Sequence, residues 1–298
     1  MSITVNFAPE VRDWIAHNLR RGVEPQALIQ ELVNRNAKPE LAQAMVGAVA
    51  SALAHGGPMP GDTLEIDADD APYRLEPLRV PEGARFRLGE REVRVLARLQ
   101  RPAGVLMSDL LSTAECEALI ALARPRLRRS TVVDPVTGRD IVAGHRSSDG
   151  MFFLPRETPL IAALEDRIAE LTGIPAENGE GLQMLHYSAG AESTPHVDYL
   201  QPGNEANRES IARSGQRVGT LLMYLNDVPG GGETVFPQIG YAVVPQQGQS
   251  FYFEYGNRFG QSDPLSLHAA APVTAGEKWV ATKWIRSRRF VPRGAAQD

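Results

Sequence analysis

Thr194-Pro195-His196-Val197-Asp198 sets an imidazole and a carboxylate two residues apart, and a second imidazole, His268, stands far along the chain with Lys278 soon after it. Two imidazoles and one carboxylate on one face of a divalent metal leave coordination positions open, the donor set that suits non-haem Fe(II). Oxygen chemistry takes place at such open positions. In an extended strand, residues two apart project to the same side, so His196 and Asp198 can reach one ion while Val197 turns away. An isolated His-x-Asp triplet is common, and its surroundings carry the weight. His268 is followed by a stretch with turn signals at Pro272 and Gly276, after which Lys278 enters the apolar run Trp279 to Ile285. A lysine among apolar neighbours is costly unless an anion meets it, because a buried charge loses its hydration without compensation. The far carboxylate of a dicarboxylic acid is the natural partner.

A β framework must hold these residues. Between residues 180 and 287 short apolar runs recur between turn signals, at Leu182 to Tyr187, Gly219 to Leu225, Tyr241 to Val244, Ser250 to Tyr255 and Trp279 to Ile285. Short strands at such spacing predict a sandwich or jelly roll. Upstream, Glu92 to Leu99 alternates with period two, and Gly104 to Met107 reads as a further strand. Ser112 or Thr113 caps a helix carrying Cys116, Leu119, Ile120 and Leu122, and another helix spans about Pro159 to Leu171.

Residues 1–58 read as a small N-terminal all-α domain of three short helices. The first carries the stripe Val11, Trp14, Ile15 and Leu19 and stops at Gly22; Pro25 opens the second and Pro39 the third. Residues 59–84, with Gly61 and the acidic stretch Glu65 to Asp70, read as a linker, and residues 85–290 as the main domain.

A hydrophobic content of 43% suffices for a sizeable core, and a net charge of −5 argues against general nucleic-acid binding, which needs a concentrated basic face. The single cysteine, Cys116, excludes an intramolecular disulfide framework and sits in an apolar pattern that suits a small buried hydrophobe. The N-terminal residues lack the basic flank and apolar core of a secretory signal, and no apolar run is long enough to span a membrane. A cytoplasmic protein with no membrane partner is expected.

Several ordered pieces then add to the metal and lysine pattern: Asp109-Leu110-Leu111-Ser112 leading to Glu115-Cys116, Arg146-Ser147-Ser148, Gln183 to Tyr187, Tyr224-Leu225-Asn226-Asp227-Val228, and Gly231-Gly232-Glu233-Thr234-Val235-Phe236-Pro237. Together with His196-Val197-Asp198 and the run from His268 through Trp284-Ile285, they resemble the 2-oxoglutarate and Fe(II)-dependent dioxygenases, and within them the bacterial-type prolyl 4-hydroxylase catalytic domain. The resemblance implies a double-stranded β-helix, a jelly roll with flanking helices, making the chain mainly β with α. It implies that His196, Asp198 and His268 bind iron and that Lys278 pairs with the C5 carboxylate of 2-oxoglutarate, with Tyr187 and Thr220 lining the same pocket. The implied reaction consumes 2-oxoglutarate and dioxygen, releases succinate and carbon dioxide, and hydroxylates an unactivated C–H bond, with L-ascorbate as the rescuing reductant.

Arg146, Glu180, Gln183, Arg217 and Trp284 fall where that family lines its peptide groove, which points to a proline-containing peptide or protein. Ser193 stands where the family usually has a tyrosine, and Arg286 where a histidine often follows the tryptophan; both could widen or recharge the groove, as for a small molecule such as a free amino acid. The polar stretches Asp134 to Gly144 and Gln201 to Gln216 read as loops able to order over substrate. A non-catalytic binding protein that docks partners through residues 1–58 is the reading from a different class. His186 should face away from Tyr187 by strand alternation, His145 belongs to a loop, His17 and His55 read as solvated helix residues, and Gly230-Gly231-Gly232 reads as a tight turn.

Overall fold

Strands whose two faces are both apolar need a cover on each side, and this chain supplies a second sheet for one face and helices for the other. In the computed structural model the described residues are all but 1, 36, 38, 56–57, 68–72, 130–131, 134–139, 142–146 and 293–298. The chain divides into two compact units, Met1–Arg74 with Arg258–Ser262, and Leu75–Asn257 with Asp263–Asp298.

The first unit runs β1 (Ser2–Asn6), α1 (Pro9–Arg20), α2 (Pro25–Asn34), α3 (Pro39–His55) and β2 (Thr63–Asp67). Its helices follow the expected stripes, with Ile15, Leu28, Leu32, Met45, Val46 and Val49 packed around Phe7. Proline opens α1 and α2, where its missing N–H has no helical acceptor to lose. The all-α expectation needs correction, because β1 and β2 pair antiparallel from Ser2 opposite Asp67 to Asn6 opposite Thr63. Part of the span expected as a linker is therefore a strand. Ile3 and Val5, and Leu64 and Ile66, do alternate in sequence, but a lone five-residue run is marginal until a distant partner supplies its hydrogen bonds.

The second unit opens with β3 (Arg85–Leu88), β4 (Arg91–Leu99), β5 (Ala103–Ser108) and α4 (Thr113–Ala123), followed by β6 (Arg128–Arg129), β7 (Val132–Val133), β8 (Asp140–Ile141), β9 (Asp149–Phe153) and α5 (Pro159–Thr172). It continues through β10 (Leu182–Tyr187), β11 (Ser193–His196), α6 (Glu205–Ser214), β12 (Arg217–Tyr224), β13 (Gly230–Gly231), β14 (Thr234–Phe236) and β15 (Tyr241–Val243). The chain then adds β16 (Ser250–Glu254), β17 (His268–Ala270), β18 (Val273–Ala275) and β19 (Lys278–Arg286). Within the stretch Gln201 to Gln216, expected as a loop, α6 forms because Asn204 accepts the backbone N–H of Asn207 at 2.8 Å and starts a helical turn.

Nine strands make the larger sheet in the order β3-β4-β5-β16-β12-β19-β10-β9-β6, and β11-β17-β14-β15 make the smaller one. On the inner face Leu185, Leu222, Tyr224, Phe251, Phe253 and Val280 of the larger sheet pack with Phe236 and Val243 of the smaller. On the outer face Leu182, Met184, Leu221, Met223, Trp279 and Ala281 meet Cys116 and Leu119 of α4 and Ile161, Leu164, Ile168 and Leu171 of α5. Apart from Val218, at the register shift between Arg217 and Gly219, the alternation in β10, β12 and β19 sorts residues between these two cores. Each fully buried side chain of this size contributes about 1.5–3 kcal/mol, and a one-residue slip of β19 would carry Lys278 into the helix-facing core and Trp279 into the pocket. The result is the jelly roll with flanking helices expected for the main domain.

Candidate metal centre and co-substrate pocket

His196 is the last residue of β11 and lies directly opposite His268, the first residue of β17. Asp198 lies just past β11 in a bend, so turn geometry and not strand alternation brings it round. Its Oδ1 is 3.8 Å from His196 Nε2 and its Oδ2 3.6 Å from His268 Nε2. One ligand atom from each residue falls within 4.8 Å of the others, enough to hold one ion. Each imidazole Nδ1 lies on a backbone carbonyl, His196 on Thr194 at 2.8 Å and His268 on Ser266 at 2.9 Å. With Nδ1–H donating there, both Nε2 lone pairs are left for a metal.

Asp198 is buried, and Thr220 Oγ1 donates to its Oδ2 at 2.8 Å while sharing a 3.0 Å hydrogen bond with the Tyr255 hydroxyl. Burial alone would raise the carboxyl's pKa. His268 and His196, then Arg217 and the Thr220 hydroxyl, outweigh it and hold Asp198 down at about 2. It is an anion throughout the neutral range, as a cation site requires. Thr220, expected to line the co-substrate pocket, is not among the residues lining the pocket with Lys278 and Tyr187; its hydroxyl holds Asp198.

Lys278 opens β19 opposite Tyr187, the last residue of β10. Its Nζ is buried, donates to the Gly232 carbonyl at 2.6 Å and lies 5.4 Å from the Tyr187 ring centroid. Burial pulls the ammonium down to about 7, with nearby Glu233 pulling the other way. A single pocket carries His196, Asp198 and His268 and also Lys278 and Tyr187, with Leu185, Leu222 and Val280 among its walls. Thr234 also lines it, accepting from the Tyr224 hydroxyl at 2.9 Å. Thr234 belongs to the Gly231-Gly232-Glu233-Thr234 run, the only local signal for it, whereas nothing local in the sequence marks Tyr255.

Gln183 and Trp284 line the same pocket. Glu180 and Arg217 instead pair with each other, Arg217 Nε to Oε1 at 2.6 Å and Nη2 to Oε2 at 2.9 Å. The Arg217 guanidinium also covers the Trp284 ring at 3.9 Å and donates to the Asp198 carbonyl at 3.1 Å, so it reaches the pocket through its neighbours. Arg286 does not recharge the groove. It is buried, 2% exposed, and spends its donors on Glu180 at 2.6 Å, the Gly215 carbonyl at 2.7 Å and Ser210 at 2.9 Å. Ser193 does line the pocket.

Arg146 and His145, with most of the stretch Asp134 to Gly144, lie outside the described residues. His186 turns to the outer face, bonded to Glu277 at 2.7 Å and set against Trp279 with ring centroids 4.5 Å apart at a tilt of 37°. Cys116 is buried, and burial raises its thiol to about 11, which keeps it unreactive. The triplet expected as a tight turn is instead a short bulged strand: Gly230 and Gly231 form β13 and pair with β18 across a register shift, Gly231 and Gly232 have φ of +71° and +73°, a Cβ on Gly231 would fall 2.1 Å from the Pro272 carbonyl oxygen, and Gly232 delivers the carbonyl for Lys278.

The sequence profile of the 2OG-Fe(II) oxygenase superfamily matches residues 182–286. The chain is 43% identical over 202 residues to prolyl 4-hydroxylase 1 of Arabidopsis thaliana, which spans 63% of this chain and 70% of that protein. It is 38% identical over 221 residues to prolyl 4-hydroxylase 5 of the same plant, spanning 68% and 74%. Among solved structures it is similar to the viral collagen prolyl hydroxylase of Paramecium Bursaria Chlorella virus-1 in its 2OG complex, at 27% identity and a TM-score of 0.49, covering 61% of this chain and 94% of that one.

Proposed function

The chain belongs to the 2OG-Fe(II) oxygenase superfamily, in its prolyl 4-hydroxylase branch, and on that premise we propose that it hydroxylates proline within a peptide or protein. The observation that carries this reading is one pocket with a two-imidazole, one-carboxylate donor set and a buried lysine. The donors fit a divalent iron, since both Nε2 atoms are presented by bonded Nδ1 partners and the carboxylate is anionic. Iron held by His196, Asp198 and His268 supplies dioxygen activation, coupled to conversion of 2-oxoglutarate to succinate and carbon dioxide and to insertion of one oxygen atom into a C–H bond.

The residues around that centre bind, orient and exclude. Lys278 takes the far carboxylate of 2-oxoglutarate, and Tyr187 beside it adds a second contact. Thr220 fixes the Asp198 carboxylate, while Leu185, Leu222 and Val280 keep water from the pocket and strengthen the ion pairing inside. Gln183 and Trp284 form the wall that meets the substrate, and Arg217, stacked on the indole and bonded to the Asp198 carbonyl, ties that wall to the metal ligand. L-Ascorbate serves as reductant after unproductive turnover, the work is cytoplasmic in keeping with a single buried thiol, and the N-terminal unit docks target proteins.

The test is succinate formation by the iron-loaded chain with and without proline-containing peptides, with His196→Ala as the blank. Peptide-stimulated turnover, absent from the variant and accompanied by hydroxyproline in the product, is expected. Turnover indifferent to every peptide but stimulated by a free amino acid would replace the substrate with a small molecule. Equal turnover in His196→Ala would overturn the metal assignment.

A further inference from the structure

Phe152 is an aromatic side chain left 49% exposed on a strand whose neighbours are buried, and Leu154 close by is 67% exposed. The register explains where the phenylalanine points. Phe152 of β9 lies opposite Gln183 of β10, and Gln183 lies opposite Thr282 of β19. Partners across a sheet share a face, and Gln183, Thr282 and Trp284 all line the pocket, so Phe152 stands on the pocket side of the sheet, beyond the lining. Its ring centroid is 6.3 Å from that of Trp284 at a tilt of 37°, within the range of a favourable aromatic pair. The aromatic pair therefore carries apolar surface from Trp284 in the pocket wall out to Phe152 at the solvent edge. The Arg217 guanidinium on the indole is neutralised, held by both oxygens of Glu180, while the exposed Arg128, opposite Gly150 of β9, stands at the outer edge of the same face. An exposed phenyl face of this kind favours apolar over strongly hydrated side chains, whose desolvation the ring does not repay.

Resting on the peptide reading above, we propose that Phe152, with Leu154, forms a specificity shelf for the substrate residue that flanks the target proline, and that the shelf takes an apolar or proline side chain. The occupant follows from continuity and length. A chain in polyproline II conformation advances about 3.1 Å per residue, so a ring 6.3 Å beyond Trp284 meets a residue within two positions of the one bound at the pocket wall. Proline rings and branched aliphatic groups stack on an exposed phenyl face, and a peptide already extended loses little conformational freedom in doing so. Phe152 is a binding residue here and takes no part at the reacting atoms.

The experiment uses the full iron-loaded chain and two synthetic peptides that differ only within two residues of the target proline, one with proline or leucine there and one with serine or aspartate, with hydroxyproline read by mass. The wild-type chain is expected to favour the apolar-flanked peptide by roughly tenfold in kcat/KM, the scale of burying one exposed aromatic face. Phe152→Ala erases the preference through KM and not kcat, and Phe152→Tyr keeps it. An unchanged preference in Phe152→Ala overturns the shelf while leaving prolyl hydroxylation standing. Wild-type succinate formation with no hydroxyproline from either peptide overturns the peptide reading itself, and the shelf with it.

Discussion

Lys278 shows function working against stability at a single residue. Its pKa in the folded chain is about 7 against an ordinary 10.5, so between those values the unfolded chain binds the extra proton and stability rises with pH. Below pH 7 the full cost of burying the ammonium is present, offset in part by the Gly232 carbonyl. Lys278→Met is therefore expected to raise the thermal midpoint of the ligand-free protein near neutral pH by several degrees while abolishing 2-oxoglutarate-dependent turnover; scanning calorimetry beside a succinate assay checks both. In the wild type the KM for 2-oxoglutarate should climb as pH rises above about 7, since a neutral amine attracts no carboxylate. Thr220 makes the complementary case. Thr220→Val keeps shape and removes the hydroxyl that holds Asp198, and a lost partner of this kind typically costs about 10–100-fold in metal affinity. Iron titration of the variant, with circular dichroism to confirm the fold, should show that loss; unchanged affinity would make the hydroxyl a packing feature only.

At the scale of elements, Glu180 joins strands that are remote in sequence. It sits just before β10 and receives Arg217 from β12 and Arg286 from β19, the latter also bonded to Ser210 of α6 and to the carbonyl of Gly215. Burial alone would raise its pKa, but the two guanidiniums overrule it and hold the carboxyl below its usual range. The stabilisation is thus present above the unfolded carboxyl's pKa and drains away as pH falls through the lower folded one. Glu180→Gln strands two buried cations at once, and a loss of about 3–5 kcal/mol is expected from urea denaturation at neutral pH, shrinking in acid. The outer face carries a second such joint, where Lys283 donates to Glu165 of α5 at 2.5 Å and to the Glu180 carbonyl. Helix placement and pocket wall are coupled through these residues.

At the scale of the molecule, each unit has a core of its own. Phe7, Ile15, Leu28 and Val46 belong to the first, while two larger clusters lie on either face of the nine-stranded sheet of the second. Every residue of the candidate site belongs to the second unit. Removing residues 1–74 is accordingly expected to leave hydroxylation of short peptides within a few-fold of the full chain and to weaken it only on folded protein targets. Parallel assays on a peptide and on a protein containing the same sequence separate the two. Equal loss on both would make the first unit part of the catalytic body.

The chain by itself disclosed the donor types, the lysine stranded among apolar residues and the alternating runs that build the jelly roll, because side-chain chemistry and a period of two are local properties. With the family resemblance it also named the His196, Asp198 and His268 set and the Lys278–Tyr187 pair that the fold brings into one pocket, but not how the side chains around them are held. Asp198 reaches the site through a bend that strand periodicity does not describe, and the hydrogen bond from Thr220 of β12 to Asp198 joins residues that no local pattern pairs. Arg286 carries a charge that sequence could assign equally to the groove or to the interior, and only the packing of Glu180 between two strands decided for the interior. The β1–β2 pair was hidden for a related reason, since two five-residue runs separated by three helices become strands only when each finds the other. Periodicity fixes the side a residue faces; the partner across the sheet is set by register and packing, which exist only once the whole chain has folded.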